Sequence, residues 1–219
     1  MGLFAHSPGI HMFGEDPKHE REKGPLSDEG ADRDGFVRAA LFFYGALGCI
    51  ALVWRMSTPG ASILHAPDHP TSFDGVGGAL LAGLLVGGIS LGLSEALTRL
   101  SDLGESLADT LGESLVGIST ADGILLAFAS GVAEEMFFRG ALQPTVGLVW
   151  ASVLFGACHF LPRKELVLWS VYAVAMGFAL GWLFEATGHL VAPMAAHVLV
   201  NAVNLPRLAR RAEERSRGG

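Results

Sequence analysis

The feature that most constrains this chain is a set of six apolar stretches, each close to the length a helix needs to cross a bilayer. They run approximately over 36–54, 75–97, 120–142, 145–160, 166–186 and 190–205. A hydrocarbon core of about 30 Å takes roughly 20 helical residues, fewer where neighbouring helices shield the ends. Only 17% of the 219 residues are charged, against about 25% in an ordinary soluble domain. Those charges crowd into the two ends and a few short loops. The chain therefore reads as all-α, a polytopic membrane helix bundle of about six transmembrane helices.

Basic residues orient the bundle. Six crossings put both termini on one side, together with the loops near 98–119 and 161–165. Thirteen of the fifteen Lys and Arg residues then share that side, Arg55 lies on the other, and Arg139 is left inside the membrane. Such a bias is expected when both termini are cytoplasmic; the expected location is an integral, multi-pass position in a bacterial-type inner (plasma) membrane. The first stretch follows a polar tail of 35 residues, which separates it from a cleavable signal peptide. The net charge of −7 comes largely from the N-terminal tail and a central acidic segment, so nothing points to nucleic acid. Cys49 and Cys158 fall in apolar runs without metal-ligand spacing and read as buried thiols.

The organisation follows from these runs. Residues 1–35 lack apolar periodicity and read as a disordered cytoplasmic tail; 36–97 hold two transmembrane helices. Residues 98–119 repeat "LGESL" eight residues apart, with leucines at helical spacing and Asp102, Glu105, Asp109 and Glu113 elsewhere round the helix. That pattern is an amphipathic acidic helix suited to contact with the bundle or a partner. Residues 120–205 form a four-helix unit holding nearly all the intramembrane polar groups, and 206–219 form a basic tail. Gly83/Gly87 and Gly88/Gly92 allow close helix approach. His65 and His69 share a four-residue spacing, but Pro67 between them and Pro70 after them favour a solvated loop over a metal site.

A charged side chain at mid-bilayer costs about 2.5–3.5 kcal/mol on insertion scales, so the polar groups within 120–205 call for pairing or work. "SGVAEEMFFRG" (130–140) places Glu135 and Arg139 four residues apart, on one helical face, where a salt bridge offsets both charges. Glu134 is rotated about 100° from Glu135 and is less easily neutralised. A carboxylate without its own cation is a candidate proton-transfer group. Phe155 and His159 share a face in the next stretch, and His197 and Asn201 share one in the last. Taken singly, each of these has a plain structural reading as a packed histidine or a helix-bridging amide. Glu185, beside Gly188, reads as an interfacial charge.

Together the three patterns resemble the CPBP family of intramembrane proteases, which includes the CAAX prenyl endopeptidases and bacterial Abi relatives. "EEMFFR" (134–139), "FGACH" (155–159) and "HVLVN" (197–201) match that family's three motifs in order, each in a separate apolar stretch. The resemblance covers roughly 120–205. It implies an endopeptidase that hydrolyses a peptide bond near the membrane-associated C-terminus of a protein or peptide. Glu134 would be the general base, His159 would hold the attacking water, and His197 and Asn201 would form the oxyanion site. Glu135, Arg139 and Phe155 would support them. The implied mechanism is glutamic, with no cofactor favoured; the alternative is zinc on Glu134, His159 and His197, although the chain has no HExxH. The implied partners are a membrane-associated protein or peptide substrate and the lipid bilayer. Competing classes are a non-catalytic scaffold or immunity protein of the same fold and a small proton-coupled transporter.

One geometric strain remains. Counted from Thr120 and from Thr145, Glu134 and His159 each lie about 21 Å from opposite sides at 1.5 Å per residue. Equal depth requires the helix boundaries to slide or the helices to tilt.

Overall fold

A computed structural model describes residues 25–59, 61–67, 75–160 and 166–218. The chain is helical: α1 (Pro25–Met56), α2 (Val76–Leu100), α3 (Asp102–Glu113), α4 (Thr120–Glu135), a π-helical stretch (Met136–Leu142), α5 (Gln143–Cys158), α6 (Val167–Thr187) and α7 (Val191–Gly218). Local chemistry sets several of these ends. Ser119 caps α4 reciprocally with Asp122, each side chain taking a backbone N–H of the other. Gly188, at φ 72°, terminates α6 in the left-handed conformation and donates its N–H to the Phe184 carbonyl. α1 begins at Pro25 rather than at Phe36, so residues 25–35 are helix, not the end of a tail. Proline in the first turn and the acidic Asp28 and Glu29 behind it favour a helix start there. The expectation for residues 1–24 lies outside the described residues.

Four segments of the described residues are long and apolar enough to cross a membrane: Arg33–Met56, Val76–Leu100, Thr120–Cys158 and Val167–Thr187. The sequence reading expected six. Two of those six form the single segment Thr120–Cys158, which reverses at Gly147. The sixth lies in α7, where His197, Asn201, Asn204 and then the basic extension dilute the apolar run.

The reversal also relieves the strain over depth. Gly147 has φ 83° and ψ 164°, a conformation open to glycine. Phe138 and Phe155, nine residues before it and eight after, meet edge to face with centroids 5.1 Å apart. Glu134 and His159, thirteen before and twelve after, meet as well. Each arm is about 18–20 Å long at 1.5 Å per residue, so the two side chains reach one level. The expected stretches 120–142 and 145–160 lie close to the observed helices, but the turn falls at Gly147 rather than between the two stretches.

The distribution of residues is inverted relative to a protein in water. Phe42 is 80% exposed and Trp150 64%, whereas Glu135, Arg139 and Ser152 are almost wholly enclosed. Large apolar side chains outside and polar groups inside suit a lipid surround. Cys49 and Cys158 are both exposed, not buried as expected; apolar runs in such a helix face outward.

Small residues bring the helices together. A Cβ on Gly83 would lie 2.2 Å from the Ala192 carbonyl oxygen, so α2 and α7 touch backbone to backbone there. Gly88 and Gly92, also expected at a close approach, face open space. The predicted basic tail is the continuation of α7, through Pro206, to Gly218. It docks on α3: Arg211 donates to Asp109 at 2.7 Å and to Glu105 at 2.9 Å, and Arg215 also pairs with Asp109. The acidic helix is thus a partner of the bundle itself. At the other end, the segment around His65 forms an antiparallel bridge with His189, where Leu190 donates to Leu64 and Ala66 to Gly188. His69 lies outside the described residues.

Candidate active site

α4 carries the two carboxylates, and the helical twist between adjacent residues points them at different neighbours. Glu135 is fully buried and turns towards α6 and α7. Its Oε1 accepts from Arg139 at 2.8 Å and lies 2.7 Å from Nδ1 of His197. A carboxylate paired with a guanidinium can only accept, so Nδ1 of His197 carries the proton and Nε2 is left facing away from Glu135. Arg139 also donates to the Gly177 carbonyl at 3.0 Å, and its guanidinium lies over the Phe155 ring at 4.5 Å. Burying both charges is tolerable because each has partners of the opposite kind.

Glu134 turns the other way, towards α1 and the end of α5. It is 9% exposed, and its Oε2 has no hydrogen-bond partner. Nε2 of His159 stands 3.8 Å from that oxygen, too far for a direct hydrogen bond. Nδ1 of His159 lies 2.8 Å from the Phe155 carbonyl oxygen, which can only accept. His159 is therefore held by its Nδ1–H, with Nε2 directed at Glu134. Phe155 stacks obliquely on the His159 ring at 4.6 Å and Trp169 meets the same ring edge-on at 5.8 Å. The two rings restrict its orientation.

Asn201, one turn beyond His197 on α7, donates to the Ser130 hydroxyl at 3.0 Å. Ser130 is one turn before Glu134, so the amide lies along the same α4–α7 seam. The structure thus gathers Glu134 with His159, and Glu135 with Arg139 and His197, while Asn201 is held by Ser130.

Several participants escape a reading of the sequence alone. Gln143 donates to the Gly181 carbonyl at 3.0 Å and to Glu185 at 2.9 Å. With the Arg139–Gly177 bond one turn earlier it forms two rungs between the π-helical stretch and α6. The spacing offers a signal: Arg139 and Gln143 are four apart, as are Gly177 and Gly181. Tyr44 of α1 also faces Glu134. The π-helical stretch itself begins directly after the glutamate pair, where widened turns are common at functional sites.

The residues do not make an evident metal centre. Among the described residues, no three His, Cys, Asp or Glu side chains gather closely enough to hold an ion. His197 gives Nδ1 to Glu135, so Nε2 is the nitrogen that the zinc alternative would use.

Residues 117–203 match the family of type II CAAX prenyl endopeptidases, Rce1-like. The chain is also 42% identical over 80 residues to the uncharacterized protein YpbD of Bacillus subtilis (strain 168); the match covers 36% of this chain and 42% of that protein. No solved structure matches. The matched segment contains all three motifs, "EEMFFR", "FGACH" and "HVLVN".

Proposed function

We propose that the chain is an intramembrane endopeptidase that cleaves a membrane-associated protein or peptide near its C-terminus, with water activated by Glu134. One observation carries the reading: of two adjacent buried carboxylates, Glu135 is neutralised by Arg139, while Glu134 leaves an unpartnered oxygen 3.8 Å from the Nε2 of His159. That gap fits a water bonded to both groups.

In this mechanism Glu134 takes a proton from the water as its oxygen attacks the scissile carbonyl carbon. His159 orients the water through Nε2. The carbonyl π electrons move onto oxygen, and the resulting oxyanion accepts hydrogen bonds from the N–H of Asn201 not given to Ser130 and from Nε2–H of a doubly protonated His197. Glu135 then serves as the counter-ion of that imidazolium as well as of Arg139. Collapse of the intermediate breaks the C–N bond, and the proton held by Glu134 passes to the departing nitrogen. The products are a carboxylic acid and an amine, which become a carboxylate and an ammonium when the acid's proton passes to the nitrogen.

The same proposal includes six crossings, with Thr120–Cys158 divided at Gly147 into two of them and the first half of α7 as the sixth, and both termini cytoplasmic. The substrate class, a protein anchored by a lipid or a terminal helix, follows from the family and from the depth of Glu134. No metal takes part.

Cleavage of a peptide library by the protein in proteoliposomes tests the reading. Glu134→Gln abolishes cleavage while the protein still inserts; full activity in that variant removes the glutamic mechanism. Retained biological function in a Glu134/His159 double variant would identify a scaffold instead.

A further inference from the structure

α1 lies outside the matched segment, yet one of its faces walls the site. Val37, Leu41, Tyr44, Gly48, Ala51 and Arg55 recur at alternating spacings of four and three, which places them on one side of the helix. That side packs along α4. Val37 and Leu41 meet Ile118 and Leu126; a Cβ on Gly48 would lie 3.9 Å from that of Ala133; Trp54 meets Phe137 edge-on at 6.1 Å. These contacts climb both helices in the same order, so α1 and α4 run parallel. Tyr44 falls between Leu41 and Gly48, and Glu134 between Leu126 and Phe137.

From Val37 to Ala51, Tyr44 is the one polar side chain on this face. Its hydroxyl is turned towards the Glu134 carboxylate, one turn below the place where Gly48 approaches Ala133, the neighbour of Glu134. The ordinary role of tyrosine in a membrane helix is to anchor at the headgroup level. Tyr44 lies instead near the middle of the apolar run and is half-buried, while Phe42 and Phe43 beside it are turned outward. A phenol placed inward at this depth needs a polar partner, and Glu134 is the carboxylate it faces.

We propose that Tyr44 is a positioning residue of the reaction centre, supplied by α1 to the 117–203 core, whose hydroxyl holds Glu134 aimed at the gap before His159. The inference rests on the reading of Glu134 as the base. It makes the site a product of both parts of the chain, with His159 on one side of the carboxylate and Tyr44 on the other. Misplacing a reacting group by about 1 Å can cost roughly 100-fold in rate, so losing one of two such restraints is expected to cost about 10-fold or more in kcat.

The full chain in proteoliposomes provides the test, with Tyr44→Phe removing the hydroxyl and keeping the ring. The expected result is a kcat at least about 10-fold lower, with KM and Tm unchanged and with Phe43→Leu, on the outward face, indistinguishable from wild type. A rise in KM alone, or a fall in Tm that accounts for the lost activity, overturns the proposal. A second measurement needs no substrate: labelling of Glu134 by dicyclohexylcarbodiimide, an apolar carboxyl reagent, followed by peptide mass spectrometry. Removing the hydroxyl leaves the carboxyl open to the reagent, so Tyr44→Phe is expected to label several-fold faster; an unchanged rate overturns the contact. The two failures are separable. Cleavage by Glu134→Gln brings down the base assignment and the proposal with it, whereas an inert Glu134→Gln beside a fully active Tyr44→Phe brings down the proposal alone.

Discussion

Glu135 and His197, 62 residues apart in sequence, are joined by a 2.7 Å hydrogen bond from Nδ1 to Oε1. The same oxygen receives Arg139. One buried carboxylate therefore balances a guanidinium and sets the orientation of an imidazole, while its neighbour in sequence does neither.

The two glutamates are expected to respond differently to the same change. Glu135→Gln leaves Arg139 enclosed without its counter-charge, and removing one member of a buried pair costs about 3–5 kcal/mol. It loses both thermal stability and cleavage. Glu134→Gln loses cleavage with Tm kept. Differential scanning fluorimetry in detergent beside a cleavage assay separates them; equal loss of Tm in both variants would contradict the division of roles.

Gly177 tests the contact between α5 and α6. A Cβ there would sit 2.8 Å from the Ser152 carbonyl oxygen, and the Gly177 carbonyl is the one that Arg139 reaches. Gly177→Ala is expected to cost about 1–3 kcal/mol through overpacking and to weaken the Arg139 bond. Gly88, with nothing near its Cβ position, is the control: Gly88→Ala is neutral or mildly stabilising. Tm values in the same detergent decide the comparison.

Gly147→Ala places a side chain where φ is 83°. The strain is about 1–3 kcal/mol, and relief by rotation about that residue would carry His159 away from Glu134. Activity is expected to fall more than stability. Cleavage kinetics of Gly147→Ala beside its Tm check this; a loss of activity fully accounted for by the loss of stability would contradict it.

The α3–α7 clasp is partly exposed, so each ion pair contributes little, about 0–1 kcal/mol. Asp109 nevertheless pairs with both Arg211 and Arg215. Arg211→Glu is expected to loosen α3 and speed protease cleavage between α3 and α4, with an effect that shrinks at high salt. Catalysis, on the other half of the bundle, should be unchanged.

Metal chelation is expected to leave cleavage intact. Loss of activity in 1,10-phenanthroline, restored by added zinc, would replace the glutamic mechanism with a metal-assisted one.

Short-range relations were legible in the sequence because the helical repeat dictates them. The pairing of Glu135 with Arg139 and the divergence of Glu134 both follow from 3.6 residues per turn. Contacts between helices were not, since spacing says which residues share a face but not which faces meet. Gln143 with Gly181 and His197 with Glu135 are of that kind. Tyr44 was hidden for another reason: beside Phe42 and Phe43 it looks like one more aromatic facing lipid. Gly147 was hidden among 29 glycines, with nothing in its neighbours to mark the turn.

The turn at Gly147 gives the two arms of its hairpin lengths that are tied to one another. Adding one residue to either arm alone would swing its tip by about 100° and shift it by about 1.5 Å, parting His159 from Glu134. An indel here is therefore tolerated only when matched across the hairpin or absorbed by the wide π turn at Met136–Leu142. The paired arms work as a molecular ruler, and length itself becomes a heritable part of the candidate site.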